Sequence, residues 1–234
     1  MIVLGIESSS PVASVALVSE EKLWGEMTLN IGLTHSEQLL PLIDELLHQV
    51  KIDISEVEGI AISGGPGSFT GLRIGMATAK GLAQGLNKPL VSIPTLLALA
   101  YQQVGRSGLV APVLNARRAE VYTALFRFTG DEYQQVEDYQ AINPQLWVEK
   151  LADYGEPIQF TGDGVTTYTD IWKEILGDKA VIVPAIFQLA RGASVAELGL
   201  QRLLKGEEDE LFALKPMYIR SSEAERKLKI AAKC

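Results

Sequence analysis

One cysteine and two histidines are all that this 234-residue sequence holds of the side chains that most often bind transition metals. The cysteine is Cys234, so no internal disulfide can form, and the reducing cytoplasm is the expected compartment. The histidines, His35 and His48, are 13 positions apart, which rules out a His-x-x-x-His metal pair on one helix turn. No metal site is expected. No apolar run approaches the ~18 residues of a membrane span. The most apolar window, Ile93–Ala100, is short and contains Pro94 and Thr95. The first ten residues, MIVLGIESSS, lack a basic lead-in and are interrupted by Glu7, so no secretory signal is expected. Low-complexity segments are absent too.

Acidic residues are missing from one long stretch. The chain carries 21 Lys+Arg against 29 Asp+Glu, a formal charge of −8. Between Gly59 and Ala119 there is no Asp or Glu, but there are Arg73, Lys80, Lys88, Arg106, Arg117 and Arg118. That stretch carries +6 and the rest of the chain −14. A generally basic nucleic-acid coat is excluded. With 47% hydrophobic residues the chain can build a substantial core, which argues against disorder.

What is present reads as an α/β protein. Ile2–Ile6, Val12–Val18 and Leu23–Leu29 are apolar runs separated by the short polar turns around Ser8–Pro11 and Glu20–Lys22, a three-stranded meander. Thr34 and Glu37 have capping-box spacing. Behind them Leu39, Leu40, Leu42, Ile43, Leu46, Leu47 and Val50 recur at helical spacing, with Glu37, Asp44, Glu45 and His48 on the wet side and Pro41 within the helix. Gly59–Ser63 reads as a strand, followed by GGPGSFTGLRIG (64–75) and a helix to about Leu86. Leu90–Ile93 is a further strand and Thr95 opens a further helix. The plan then restarts with strands at Leu109–Leu114, Val121–Phe128 and Tyr133–Ile142. A helix at Pro144–Tyr154, a strand at Ile158–Thr161 and helices near Tyr168–Leu176 and Ser194–Leu204 follow. Glu7 and Ala16-Leu17 repeat as Asn115 and Ala124-Leu125 at an offset of 108, and IAISGG (60–65) as IQFTGD (158–163) at an offset of 98. Two tandem units are therefore expected: residues 1–105, residues 106–213, and a C-terminal segment, 214–234, with SSEAERKLKIAAK as an added helix.

The candidate chemistry sits at the turns. GGPGSFTGLRIG passes from strand to helix, so its amides can face an anion at the helix N-terminus. It equally reads as a tight turn capped by Thr70. Gly71 is followed by Leu72-Arg73, not Lys-Ser/Thr, and Thr70 stands where a dinucleotide fingerprint needs glycine. The helix behind it has two rows of small residues, Gly71/Gly75/Ala79 and Ala77/Gly81/Gly85. Interior glycine costs ~1 kcal/mol relative to alanine, so these rows suit close approach to the protein's own sheet or to a partner helix. Glu7, Ser8 and Ser9 form the first hairpin turn, where a carboxylate could hold a metal-bound phosphate or simply keep a turn wet. The equivalent turn has Asn115, Arg117 and Arg118, and Asn cannot act as a base. No G-x-S-x-G surrounds Ser68, which disfavours a serine hydrolase. No catalytic residue is assigned.

ESSSPVASVAL, HSEQLLPLI, GGPGSFTGLRIG, NARRAEVY, TGDG and YIRSSEAERK, taken in order over essentially the whole chain, resemble the bacterial TsaB (YeaZ) family. The resemblance implies the actin/Hsp70/sugar-kinase (ASKHA, ribonuclease H-like) fold: two tandem halves, each a mixed sheet with helices. It implies an accessory subunit of tRNA threonylcarbamoyladenosine (t6A) synthesis that pairs with the catalytic paralogue TsaD, recruits the ATPase TsaE, and self-pairs when TsaD is absent. ATP would act on the partner subunits, with no cofactor here, and tRNA would be met through the complex. The carried-over interface lies on the helix from Ser36 and the helix from Gly71: His35, Gln38, Leu39, Leu42, Leu46, Arg73, Gly75, Met76, Ala79 and Lys80. The degenerate nucleotide cleft comprises Glu7, Ser8, Ser9, Gly64, Gly65, Gly67 and Asn115. Family members commonly have Asp-Ala-Arg where Asn115-Ala116-Arg117 stands, and TsaD relatives carry the His-x-x-x-His that is missing here. The competing expectation is an ASKHA-type ATP-binding enzyme or kinase with its own cleft. A second possible tRNA contact is the tail, with Lys215, Arg220, Arg226, Lys227, Lys229 and Lys233 against Glu223 and Glu225.

Overall fold

The computed structural model describes residues 1–31 and 35–220, with His35 described by its backbone alone. The meander is β1 (Ile2–Glu7), β2 (Ala13–Ser19) and β3 (Leu23–Leu29), followed by α1 (His35–Val50). Next come β4 (Gly59–Gly65), α2 (Phe69–Leu86), β5 (Leu90–Pro94) and α3 (Thr95–Tyr101). The second unit is β6 (Gly108–Asn115), β7 (Val121–Thr129), β8 (Glu132–Ile142), α4 (Pro144–Ala152), β9 (Ile158–Thr161), α5 (Val165–Leu176), β10 (Ala180–Ile182) and α6 (Gly192–Leu204).

The strands form two five-stranded sheets of one topology. The first runs β3-β2-β1-β4-β5 in space and the second β8-β7-β6-β9-β10. In each, an antiparallel meander is extended by two parallel strands. β1 ends at Glu7 and β6 at Asn115, so the two turns paired by the sequence repeat occupy equivalent positions. β10 completes the repeat. At three residues it is too short to carry an alternating pattern.

Each sheet is covered on its outer face by its own helices. Leu4, Ile6, Val15 and Leu17 face α1 and α2, and Leu109, Ala111, Val113 and Leu125 face α4 and α5. The inner faces meet a shared layer of α3 and α6. Thr95–Ala100 are all buried there, which explains the apolar window at Ile93–Ala100: it is a helix wrapped on all sides by protein. Burying each large apolar side chain there stabilises the join by about 1.5–3 kcal/mol. α6 follows the second unit in sequence but lies on β1, β2 and β4 of the first. Its N-terminus is held from the first sheet: Gly192 N–H donates to Ser14 Oγ at 2.9 Å and Ala193 N–H to Glu26 Oε1 at 3.1 Å. Both satisfy N–H groups that have no partner within the helix.

Several boundaries differ from the sequence reading. α2 is capped by Ser68, whose side chain accepts from Gly71 N–H at 3.3 Å; Thr70 already lies inside the helix. α5 starts at Val165, not near Tyr168, because Gly164 already serves as its N-cap. Residues 214–220 are not helical. They form an extended strap, while SSEAERKLKIAAK and the Thr34 cap lie outside the described residues.

Candidate interlobe cleft and partner face

The turns at the ends of β1, β4, β6 and β9 converge on a cleft of about 620 Å³ between the two sheets' lobes. Ser9, Ser10 and the loop Pro66–Thr70 form one wall, and Asn115–Arg118 with Asp163 the other. The first wall is drawn tight by Ser68 N–H donating to the Ser9 carbonyl at 2.6 Å. Gly67 is glycine for this reason, since a Cβ there would lie 2.2 Å from the Ser9 oxygen.

Glu7 does not reach the cleft. It is fully buried beneath the turn, where its Oε1 accepts from Ser9 N–H at 2.6 Å and Ser9 Oγ–H at 2.5 Å. Oε2 is buried without a hydrogen bond. Burial pushes the carboxyl above its ordinary value of 4.5, and the Ser9 donors pull it partly back. The expectation of a phosphate- or metal-facing carboxylate is thereby corrected: Glu7 is an internal brace of the turn. Ser8 is buried as well, its hydroxyl donating to the Gly71 carbonyl at 3.0 Å. Gly64 and Gly65 are buried at the end of β4, and the Gly64 carbonyl accepts from Met217 N–H at 2.7 Å. Among the expected cleft residues, Ser9, Gly67 and Asn115 line the space.

The opposite wall is a strained turn. Arg117, Arg118 and Ala119 all adopt left-handed φ, at 60°, 56° and 56°. For residues with a Cβ this costs roughly 1–2 kcal/mol each. The turn is held by Arg117 N–H donating to Asn115 Oδ1 at 2.8 Å and Asn115 N–H to Asp163 Oδ1 at 2.9 Å. Asn115 therefore spends its side chain on turn geometry. No glycine in NARRAEVY signals this conformation.

The strap closes the cleft's third side, a feature the sequence reading missed. Leu211 and Leu214 pack against the core under α2, and Lys80 Nζ donates to the Leu214 carbonyl at 2.7 Å. Tyr218 lies 5.2 Å from Phe69 between ring centroids, and its hydroxyl accepts from Arg73 Nε–H at 3.0 Å. Arg220 then crosses to the second lobe, donating to the Ala116 carbonyl at 3.0 Å and pairing with Glu120. Arg220→Ala should release the far anchor and raise amide exchange in the 115–120 turn about tenfold. Exchange in α4 and α5 should stay constant. An unchanged turn would show that the strap does not restrain it.

The expected partner face also needs correction. Gln38, Leu39, Leu42 and Leu46 of α1, with Met76 and Ala79 of α2, are buried, the apolar ones against the first sheet. A Cβ on Gly75 would meet Ser8 Oγ at 2.0 Å, so the Gly71/Gly75/Ala79 row serves the protein's own interior. In the single chain these side chains are turned inward. Arg73 is exposed and Lys80 half-buried, both engaged with the strap. The second small-residue row points outward: Ala77, Gly81 and Gly85 are exposed, and nothing lies within 4 Å of a Cβ built on either glycine. Leu40 of α1 is 55% exposed.

Residues 31–228 match the family model described as TsaD, tRNA N6-adenosine threonylcarbamoyltransferase. The Bacillus subtilis tRNA threonylcarbamoyladenosine biosynthesis protein TsaB is 30% identical over 227 residues, covering 97% of both chains. The chain belongs to the TsaB family. A solved structure from Pseudomonas aeruginosa, described as an uncharacterized protein with similarity to peptidase YEAZ, superposes with a TM-score of 0.79 at 26% identity. It covers 94% of this chain and 99% of that one. The activator of 2-hydroxyisocaproyl-CoA dehydratase from Clostridium difficile, solved with bound ADPNP, shares the fold at a TM-score of 0.50 and 7% identity, covering 90% of this chain and 99% of that one. The two-sheet plan is thus the ASKHA fold expected from the TsaB resemblance. Involvement in t6A biosynthesis follows from the TsaB relatives. Among the described residues of this TsaB-family chain, no group of three or more His, Cys, Asp or Glu side chains is placed to hold a metal.

Proposed function

We propose that the protein is a non-catalytic accessory subunit of t6A synthesis. It pairs with a TsaD paralogue through the outward faces of α1 and α2, and the pair recruits TsaE. The observation that carries this reading is the open row Ala77/Gly81/Gly85 beside the exposed Leu40. Two interior helix glycines with no internal neighbour weaken a helix without return in the monomer, and a closely docked helix supplies the return. When TsaD is absent, the same face self-pairs into a homodimer. ATP acts on the partner subunits, and tRNA is handled by the assembled complex in the cytoplasm. No described helix is long and apolar enough to cross a membrane. The sealed Glu7 and the turn-bound Asn115 favour this reading over an ATPase or kinase with its own cleft.

Gly81 gives the test, because stability and pairing move in opposite directions there. Gly81→Ala should stabilise the isolated protein by up to about 1 kcal/mol, since the added methyl meets open space and alanine is the better helix former. Gly81→Leu should also keep the fold, yet weaken binding to the TsaD paralogue about tenfold or more by holding the helices apart. Chemical denaturation and titration calorimetry measure the two effects. A Gly81→Leu protein that binds TsaD with unchanged affinity would place the partner elsewhere.

A further inference from the structure

We propose that the Arg202–Asp209 pair at the root of the strap is an autoinhibitory contact. It occupies the outer edge of β5 in place of a further strand and closes the first sheet to strand addition by a second copy of this chain. Self-pairing is thereby left to the helix face of α1 and α2 proposed above.

Among the described strands β5 is the outer one of the first sheet, paired with β4 on its inner side. On that side Ile60 N–H donates to the Pro89 carbonyl at 3.0 Å, so by the alternation of a strand Leu90 and Ser92 turn their backbone groups outward. The segment after the second unit meets them there. Asp209 N–H donates to the Leu90 carbonyl at 2.9 Å, Ser92 N–H donates to Asp209 Oδ2 at 2.6 Å, and Arg202 Nη1–H donates to the Ser92 carbonyl at 2.9 Å. That is the bonding of a neighbouring strand, made by one backbone amide and two side chains. The clamp is braced within itself: Arg202 Nη2–H donates to Asp209 Oδ1 at 3.3 Å and Nε–H to Glu207 Oε2 at 2.8 Å.

The other outer strands are protected in other ways. β3 carries Glu26 and lies beside a register shift at Leu17/Val18. β8 carries Glu132, Glu137 and Asp138 and lies beside register shifts between Thr123 and Phe126. β10 has three residues. Edge charges, bulges and short length each discourage edge-to-edge pairing. β5 has five residues, Leu-Val-Ser-Ile-Pro, without a charge, and its register shift falls at the far end, opposite Ser63 and Gly65. Such an edge pairs unless it is covered. Uncovered, it would meet a second β5 antiparallel across a twofold axis, each Ser92 exchanging both bonds with its counterpart.

The test is sedimentation velocity of the full chain. Arg202→Ala/Asp209→Ala removes both charges together and should raise self-association about tenfold or more over the parent at equal concentration. Asp209→Asn keeps an acceptor for Ser92 N–H and should sediment as the parent does. Adding Ser92→Pro to the double variant removes a donor that β4 does not use, and should restore the parent's behaviour. Adding Gly81→Leu should leave the new species in place, because it acts on the helix face. Circular dichroism and urea melts confirm folding. If the double variant does not fold, Asp209→Ala alone, which leaves Arg202 with Glu207, gives the same comparison. A folded clamp variant that sediments as the parent does, an association indifferent to Ser92→Pro, or one abolished by Gly81→Leu would each overturn the proposal. Pairing with TsaD, read in the Gly81 variants, is measured with the clamp intact, so either idea can fail while the other stands.

Discussion

Gly5→Ala should lower the stability of the protein by about 3 kcal/mol or more, the upper end of what overpacking a core costs. Gly5 lies in the centre of β1, paired on both sides, and α6 rests directly on it. A Cβ there would lie 2.4 Å from the Gly192 carbonyl oxygen and 2.5 Å from the Ala196 nitrogen. These are backbone atoms of a helix anchored at its N-terminus by Ser14 and Glu26, so they cannot yield as the end of a side chain can. Relief would require α6 to lift from the first sheet and would open the layer shared with α3. Urea denaturation measures the loss. A Gly5→Ala protein within 1 kcal/mol of the parent, by that order of cost, would mean that α6 does not sit on β1 as described.

Removing the Glu7 side chain should be comparably costly. Glu7→Ala leaves the amide and hydroxyl of Ser9 without their buried acceptor and opens a void beneath the turn, for a loss of about 3 kcal/mol. Glu7→Gln keeps the acceptor and cannot ionise, so it isolates the effect of charge. Because burial raises the carboxyl above 4.5, the native state holds its proton more tightly than the unfolded chain does. The stability tied to that proton is fully present below 4.5 and is lost as pH rises through the raised folded value. As pH rises above 4.5 the parent should therefore lose stability relative to Glu7→Gln. Parallel stability curves for the two proteins would show that Glu7 is not desolvated in the folded state.

The duplication was legible in the sequence because it is written in local periodicity. The apolar runs of β1–β3 and β6–β8 and the helical spacing in α1 each follow from neighbouring residues. The offset linking Glu7 to Asn115 marks two turns that are structurally equivalent. The partner face was only half legible. Small residues at every fourth position of α2 announce two close-approach stripes, but spacing does not say which stripe faces inward. That is settled by Ser8 under Gly75, a contact 67 positions away in sequence, and by open space over Gly81. Similarly, the carboxylate of Glu7 looks available at a hairpin turn until Ser9 folds over it. The left-handed turn at Arg117–Ala119 left no mark because none of its residues is glycine.

The sequence by itself determined the α/β class, the twofold plan and the family, since these depend on patterns within short segments and on motif order. Only the tertiary structure decided where the scarce and unevenly placed charges act. The acid-free stretch brings the first turn of α2, with Arg73 behind Phe69, and the Asn115–Ala119 turn, with Arg117 and Arg118, to one cleft because α2 follows β4 and the turn follows β6 in two sheets that face a common layer. The strap from Leu211 to Arg220 joins α2 to the opposite lobe by contacts spanning 104 to 145 positions. Such contacts are chosen by packing of the whole chain, and local propensity carries no information about them.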